Sequence, residues 1–320
     1  MKNIRTDLAL EAAQLCDKSF NIEGADIKEK NIDGVIVTDV KIKTEFAAER
    51  IGKPVGEYIT IEASGIKDGD EEICQKTEKI LTKELTKLVD PKKNKKILVV
   101  GLGNWNITPD ALGPKVAGAI YVTRHLFETK SIDKESGICS VSAISPGVLG
   151  ITGIETGEII KGIVKHSSPD IIIAVDALAS RSIERVSTTI QLSDTGIVPG
   201  SGIGNSRNGI TEKEMGVPVI AIGVPTVVDA ATVASDSIEL LTEAVGANSG
   251  KDSQLYRLLK SFDDSNRYAL IKEVLTPFVG NLIVTPKEVD NIIDNISAII
   301  ADSINHTLLY TNYDSINNRY

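Results

Sequence analysis

Apolar residues in the first 95 positions recur at spacings that predict both helices and strands. Positions three and four apart predict a short helix over residues 8–16 and a longer, highly charged helix over residues 68–89. Two partly alternating runs, residues 34–42 and 58–63, predict strands. Asp90, which a proline follows, is expected to end the long helix.

From residue 96 onward, short runs made only of apolar residues alternate with longer segments of helical spacing. Such runs suit strands that are buried on both faces of a parallel sheet beneath crossover helices. We therefore predict an α/β fold: a central, twisted, mostly parallel sheet with helices on both faces, N-terminal strands and a C-terminal helix. The runs are residues 97–100, 171–175 and 217–222, and the helical segments are residues 112–126, 156–166 and 226–245.

The composition is that of a folded globular protein rather than a disordered chain. Of the 320 residues, 42% are hydrophobic and 25% are charged. Lys and Arg number 35 against 44 Asp and Glu, so the formal charge of −9 disfavours a nucleic-acid-binding surface. We predict one α/β domain over residues 8–320, with additional N-terminal elements in residues 8–92 and C-terminal elements in residues 246–320.

Cysteine use and the N-terminus favour a reducing compartment. Cys16, Cys74 and Cys139 show no CxxC spacing, so we expect neither a disulfide framework nor a catalytic thiol. The first residues lack an apolar secretory signal, and no apolar run is long enough to span a bilayer. We expect a soluble, cytoplasmic protein without membrane contact.

In α/β sheets, ligands bind beyond the carboxyl ends of the strands, and two of these ends carry an aspartate. The first follows residues 97–100 and reads GLGNWNITPDALGP, with Asn104 and Asp110 within it. One interpretation makes Asp110 a first-turn helix acid, with Thr108 as the cap and Pro109 as the first helical residue. The other makes Asp110 catalytic, and the residues alone slightly favour the first.

The second strand end is the run 171–175, which Asp176 follows directly. A carboxylate at the end of a buried strand must be hydrated, paired or hydrogen-bonded. An ion pair with Arg181 or a loop cap would satisfy it. Its position at a buried strand end favours a functional role instead.

Two glycine-dense segments could line a site near these aspartates. Residues 196–205, which include Gly202 and Asn205, carry backbone N–H groups that could hold an extended peptide or an oxyanion. Residues 146–156 allow the same interpretation, with Glu155 as a third acidic group. Both segments could equally be plain loops, with Glu155 a first-turn helix acid.

Several other enzyme chemistries lack their residues. His125, His166 and His306 lie in helical segments, so a Ser-His-Asp triad has no base at a strand end. The motifs HExxH, GxSxG and GxxxxGK[ST] are absent, and the dinucleotide-like opening at residues 101–103 lacks its third glycine at position 106. We expect no cofactor.

Several long strings resemble the germination proteases of spore-forming bacteria. They are GLGNWNITPDALGP, VDALASRSIERV, SDTGIVPGSGIGN and IAIGVPTVVDA, together with IRTDLALEA near the N-terminus and NLIVTPKEVD near the C-terminus. The resemblance runs through nearly the whole chain. The central part is also distantly similar to the hydrogenase-maturation endopeptidases, which share an α/β fold.

The resemblance implies an endopeptidase that starts the degradation of small acid-soluble spore proteins during germination, in the forespore or spore core. It implies a homotetramer and a self-processing zymogen that loses a propeptide of residues 1–7 by cleavage between Asp7 and Leu8. The family motifs place the catalytic role on Asp110 and Asp176. The expected partners are the small acid-soluble proteins, with no direct nucleic-acid contact.

The resemblance also bears on the mechanism. The maturation peptidases hold a metal with two carboxylates and a histidine, but no suitable histidine accompanies Asp110 and Asp176. Two carboxylates alone make a poor transition-metal site, so we expect an aspartic-type pair and no metal, with a metal-dependent endopeptidase as the alternative. One carboxyl of such a pair keeps a proton. We assign the base to Asp110 and the acid to Asp176.

Overall fold

The strands and helices are taken from a computed structural model, which describes residues 6–17, 19–91, 95–132, 137–198, 209–250, 253–261, 264–280 and 282–309. Within these ranges the strands form one sheet. They are β1 (Ala25–Ile32), β2 (Val35–Ile42), β3 (Gly56–Glu62), β4 (Lys96–Gly101), β5 (Ser140–Ile144), β6 (Ile171–Ser180), β7 (Thr189–Ser193), β8 (Val219–Asp229) and β9 (Ile283–Val284).

The sheet has a parallel centre and an antiparallel extension. Its order is β1-β2-β3-β7-β8-β6-β4-β5, with β9 beside β8. Strands β5, β4, β6 and β8 run parallel, and β1, β2, β3, β7 and β9 join by antiparallel pairing. The predicted α/β fold is confirmed, because the three apolar runs lie in the parallel centre and the N-terminal strands extend the same sheet.

The helices flank this sheet and connect its parallel strands. They are α1 (Ala9–Cys16), α2 (Glu45–Ile51), α3 (Glu71–Val89), α4 (Leu112–Gly118), α5 (Arg124–Glu128), α6 (Leu149–Thr152), α7 (Thr156–Ser167), α8 (Glu212–Met215), α9 (Ala230–Ser249), α10 (Gln254–Lys260), α11 (Asp264–Val279) and α12 (Val289–Leu308).

Successive residues of β6 point to opposite faces of the sheet, and each face is covered. Ile173 and Val175 belong to a core that includes apolar residues of α3, α4 and α12. Ile172 and Ala174 pack on the other side with Ile160 of α7. A strand that is apolar at every position is therefore stable here, because helices cover both of its faces.

Two central strands run further than their apolar cores. Strand β6 continues to Ser180 and β8 continues to Asp229, so the helix predicted over residues 226–245 begins only at Ala230. The Asp229 side chain accepts a hydrogen bond from the backbone N–H of Ala231 at 2.8 Å, which defines the helix start. Helix α9 also extends to Ser249, four residues beyond the end of the predicted helix.

The predicted helix over residues 112–126 is interrupted. The backbone N–H of Tyr121 donates to the Asn305 side chain at 3.0 Å, and that of Thr123 donates to the carbonyl of Val141 at 2.9 Å. These tertiary hydrogen bonds replace the helical ones, so α4 and α5 are separate helices. The partners are distant in sequence, and helical spacing could not reveal them.

No helix in the described ranges is both long enough and apolar enough to cross a membrane.

Helix α4 packs directly on the end of β4 and on the middle of β6 because Gly113 lacks a side chain. A methyl group on Gly113 would lie 2.2 Å from the carbonyl oxygen of Leu102 and 2.5 Å from that of Val175. The two strands are also joined to each other, since the N–H of Leu102 donates to the carbonyl of Val175 at 2.8 Å. Only glycine permits this approach of helix to strand.

Gly113→Ala is expected to lower the free energy of unfolding by about 3 kcal/mol, because the added methyl group forces α4 away from the two strands. Urea denaturation measures the change. Gly162→Ala in α7 is the matched control, since open space surrounds that position, and we expect it to raise stability by about 0.5–1 kcal/mol. Equal stability of the two variants would contradict the role of this contact.

Candidate active site

A cleft of about 700 Å³ opens beyond the carboxyl ends of β4 and β6. Its walls come from the loop after β4, from β7 and β8, from the turn after α2 and from the segment before α1. The lining brings together polar side chains that are far apart in the sequence. They include Asp7, Lys53, Tyr58, Asp110, Asp176, Gln191, Ser193 and Thr195.

Asp110 is held by the backbone of the loop after β4. It ends a 3-10 turn, Thr108–Asp110, that precedes α4. Its carbonyl accepts the N–H of Asn104 at 3.0 Å, and its own N–H donates to Ile107 at 2.8 Å. The cap expected from Thr108 is wrong: Ile107 precedes the turn, no side chain caps it, and α4 begins two residues after Asp110.

Asp176 lies inside β6 rather than at its end, and it is 6% exposed. Its Oδ1 accepts the N–H of Ala177 at 2.9 Å. The residue before it, Val175, receives the hydrogen bond from Leu102, which starts the loop that carries Asp110. The cleft therefore brings together the two aspartates that the sequence analysis selected.

The other predicted site residues have different surroundings. Asn104 shapes the Asp110 loop, and its Oδ1 also accepts the N–H of Asn106 at 3.0 Å. Glu155 precedes α7, whose first residue Thr156 lines the cleft. Thr108, Glu155 and Arg181 are not among the described lining residues. Gly202 and Asn205 lie outside the described residues.

The segment before α1 enters the cleft in an extended form. The N–H of Asp7 donates to the carbonyl of Ala179 at 3.3 Å, and the Asp7 Oδ2 accepts the N–H of Ala179 at 3.0 Å. Leu8 is fully buried. The residues on either side of the predicted processing bond are thus held against β6, three positions along the strand from Asp176.

Two side chains hold the backbone of this segment. Lys53 Nζ donates to the carbonyls of Thr6 at 2.9 Å and of Asp7 at 3.0 Å. Gln191 Nε2 donates to the same Asp7 carbonyl at 3.3 Å, and its Oε1 accepts the N–H of Ala9 at 2.6 Å. The carbonyl before the predicted processing bond therefore accepts two hydrogen bonds.

Burial changes the acid–base behaviour of two groups that line the cleft. It lowers the pKa of Lys53, and the nearby carboxylates of Asp7 and Glu11 partly oppose this effect. It raises the pKa of Tyr58 to about 12. The Tyr58 hydroxyl is therefore neutral at physiological pH, and it donates to the carbonyl of Pro54 at 2.9 Å.

Asp176 and Gln191 lie on the same face of the sheet. Asp176 is paired with Gly223 of β8, and Gly223 is paired with Gln191 of β7. Residues in one such row share a face, and two strand spacings put the Cα atoms of Asp176 and Gln191 roughly 10 Å apart. The Leu178 side chain packs over Gly223, where a Cβ would lie 2.4 Å from it.

A buried ion-pair network anchors α1 beside the cleft. Glu11, which is 3% exposed, accepts the N–H groups of Arg181 at 2.8 Å and Ser182 at 3.1 Å. It also pairs with Arg185 at 3.4 Å. Burial alone would lower the pKa of Arg185, but Glu62 and Glu11 together raise it. Arg181 is thus tied to Glu11 through its backbone.

Sequence patterns missed Lys53, Gln191 and Glu11. One feature could have indicated Gln191: it is a long polar side chain in a strand whose five residues are all buried. Lys53 sits in a turn and Glu11 in the first turn of an ordinary helix. Their roles depend on partners more than 40 residues away in the sequence.

The remaining reactive residue types do not converge on the cleft. Within the ranges that the structure describes, no three His, Cys, Asp or Glu side chains form a group that could hold a metal ion. The three cysteines form no disulfide with one another and are not among the described lining residues. Burial raises the pKa of Cys139 to about 11, which disfavours the reactive thiolate.

Comparison with known proteins decides the family. The germination protease family model matches residues 5–261 and 241–320. The chain belongs to the germination protease family. Membership makes it a spore protease, an endopeptidase of the hydrolase class.

Germination proteases of several bacteria are similar along their whole length. That of Caldanaerobacter subterraneus subsp. tengcongensis is 53% identical over 95% of this chain and 94% of the relative. That of Clostridium acetobutylicum is 48% identical over 96% of this chain and 96% of the relative. That of Bacillus thuringiensis subsp. konkukian is 43% identical over 96% of this chain and 94% of the relative.

A solved structure, that of the [NiFe] hydrogenase maturation protease HycI from Thermococcus kodakarensis KOD1, is also similar. It is 19% identical and covers 44% of this chain and 79% of its own, with a TM-score of 0.30. A likeness of this size supports no functional conclusion.

Glu11→Ala is expected to lower the free energy of unfolding of this germination protease by about 2–4 kcal/mol, because it removes one carboxylate from a buried ion-pair network and leaves two backbone N–H groups without their acceptor. Urea denaturation measures the loss. Glu49→Ala, at an exposed position of α2, is the control and should change stability by less than about 0.5 kcal/mol. A similar small change in Glu11→Ala would show that the network contributes little.

Proposed function

We propose that this peptidase starts the degradation of small acid-soluble spore proteins during germination and cuts them with a carboxylate pair, Asp110 and Asp176. One observation carries the proposal. Both aspartates line a single cleft, together with Asp7, the residue before the predicted processing bond. A cleft that already accommodates an extended piece of chain beside two carboxylates is suited to peptide hydrolysis.

The chemistry we propose needs one shared proton. Two carboxylates close to one water cannot both ionise cheaply, so one is protonated and the other is a base. Asp110 takes a proton from the attacking water, and Asp176, the more buried of the two, gives one to the leaving amine. The pair titrates as a unit, so the proton belongs to both carboxyl groups.

We also propose that the chain is a self-processing zymogen that releases residues 1–7. The position of Asp7 against β6 supports this, since Asp7 and the buried Leu8 flank the bond to be cut. Asp7 lines the same cleft that a substrate would enter. Its release would free the hydrogen-bonding groups that now hold it.

The similarity to germination proteases also supports a proposal for the cellular setting and the assembly. We propose action in the cytoplasm of the forespore or spore core, on protein rather than nucleic acid, in keeping with the net charge of −9. We propose a homotetramer. Exposed leucines on three adjacent helices offer it an apolar surface, among them Leu240, Leu241, Leu258 and Leu270.

Asp110→Asn and Asp176→Asn are each expected to slow cleavage of a purified small acid-soluble spore protein by about 10²–10⁴-fold, because each removes a proton-transfer group. EDTA should leave the wild-type rate unchanged. Gel electrophoresis of the substrate measures the rates, and Asp68→Asn, at an exposed position, is the control. Wild-type rates in both variants would overturn the pair. If EDTA abolishes cleavage by the wild-type enzyme and a divalent ion restores it, a metal-dependent endopeptidase would be favoured instead.

Incubation of the full chain is expected to yield a new N-terminus at Leu8, with release of residues 1–7. Intact mass and N-terminal sequencing follow the reaction. Asp110→Asn should keep Met1 throughout, because the same carboxylates cut both bonds. An active enzyme that retains Met1 would contradict the zymogen proposal while leaving the protease activity intact.

A further inference from the structure

We propose that Lys53 and Gln191 bind the carbonyl oxygen of the peptide bond that is cut, and that they stabilise its negative charge during hydrolysis. The inference rests on the proposed function, because it takes Asp7–Leu8 as a substrate bond of the same cleft. It adds two residues to the reaction that neither the motifs nor the two aspartates indicate.

The geometry around the Asp7 carbonyl is that of a two-donor anion site. Lys53 Nζ lies 3.0 Å from this oxygen and Gln191 Nε2 lies 3.3 Å from it. The donors come from different elements, the turn after α2 and the middle of β7. Donors within about 3 Å of a carbonyl oxygen that becomes negative are the basis of oxyanion stabilisation.

The same two side chains hold the backbone on both sides of the bond. Lys53 also binds the carbonyl of Thr6 at 2.9 Å, and Gln191 Oε1 accepts the N–H of Ala9 at 2.6 Å. All these partners are backbone atoms, which every peptide possesses. Ala9 belongs to α1 and stays with the enzyme. After residues 1–7 have left, Lys53 and Gln191 Nε2 can therefore hold the carbonyls of any extended chain that takes the place of Thr6 and Asp7.

Gln191 is also placed correctly relative to the aspartates. It shares a row and a face of the sheet with Asp176; Gly223 stands between them in that row, and the Leu178 side chain packs over it. The carbonyl that Gln191 binds therefore lies on the side of the sheet toward which the Asp176 carboxylate points. The donors Lys53 and Gln191 and the carboxylates Asp110 and Asp176 therefore line the same cleft as the Asp7 carbonyl carbon that water attacks.

The step is balanced without a further reagent. The water oxygen bonds to the carbonyl carbon of Asp7, and its proton passes to the ionised carboxylate. The carbonyl oxygen takes the negative charge, which Lys53 and Gln191 stabilise. The C–N bond then breaks as the carbonyl re-forms, and the nitrogen of Leu8 takes the proton of the other carboxyl. The pair again holds one proton.

The groups face a cost when residues 1–7 leave. Gln191 is buried, and a buried donor without an acceptor is unfavourable by about 1–3 kcal/mol. Burial also disfavours the charged form of Lys53. Binding of a new peptide carbonyl would remove this cost, so the emptied site favours a substrate.

The test uses the full chain and the first-order rate at which it releases residues 1–7. Lys53→Met removes the cationic donor at similar length, and Gln191→Glu removes the Nε2 donor while keeping an oxygen for Ala9. We expect each to slow release by about 10²–10³-fold. Lys53→Arg should recover part of the rate. Lys83→Met and Gln254→Glu, both exposed, are controls expected at the wild-type rate.

A second measurement separates this role from a merely structural one. Each variant, once processed by prolonged incubation or by a trace of wild type, is assayed on a peptide of the sequence of residues 2–14. We expect kcat to fall by the same factor as the release rate while KM changes less than about threefold, because the donors act most on the developing charge. Urea denaturation checks that the variants are folded.

The outcomes are distinct. Reduced release with reduced kcat in folded variants supports the proposal. Wild-type release or wild-type kcat in both variants overturns it and leaves the carboxylate pair untouched. A change in KM alone also overturns it, because it assigns Lys53 and Gln191 to binding. If the wild-type chain does not release residues 1–7, the zymogen proposal and this inference both fail. The carboxylate pair would still be supported if cleavage of the spore protein is lost only in the Asp110 and Asp176 variants.

Discussion

The site depends on one contact, the packing of Gly113 against the backbone at the end of β4 and at Val175 in the middle of β6. Because the helix has no side chain there, α4 reaches the carbonyls of Leu102 and Val175 directly. The loop between β4 and α4 is then short and tightly bonded, with Asp110 tied to Asn104. A helix held further out would carry Asp110 away from β6. The geometry of the aspartates thus depends on the absence of a methyl group at position 113.

The cleft holds the segment of Thr6, Asp7 and Ala9 largely through backbone groups. Ala179 of β6 exchanges hydrogen bonds with Asp7, one to its main chain and one to its carboxylate, much as an added strand pairs with a sheet edge. Lys53 and Gln191 complete the contact from the opposite side. Recognition of this kind fixes the register of the bound chain with little dependence on its side chains. The Asp7 carboxylate is the exception, because it accepts the N–H of Ala179.

Apolar runs and glycine positions made the fold predictable, while long-range polar contacts were not visible in the sequence. The strands around Ile173 and Ile220 are apolar at every position, which is typical only of a covered parallel sheet. Asp110 and Asp176 could be selected because each follows such a strand. Strand β1 was missed because its residues are polar and largely exposed. The interruption after α4 follows from the contact of Tyr121 with Asn305, residues 184 positions apart. Lys53 and Gln191 escaped notice for the same reason, since only the fold brings them to Asp7.

The Glu11 network shows why the proposed cleavage is compatible with a stable enzyme. Glu11 has partners on both sides of the Asp7–Leu8 bond, because the Thr6 hydroxyl binds it from the propeptide side. Its remaining partners, Arg181, Ser182 and Arg185, follow β6 and stay with the chain after cleavage. Loss of Thr6 removes one hydroxyl donor, whereas the buried carboxylate of Glu11 keeps the Arg185 guanidinium and two N–H groups. Helix α1 is therefore held in place independently of residues 1–7. Residues 1–7 can leave the cleft while α1 stays at its edge.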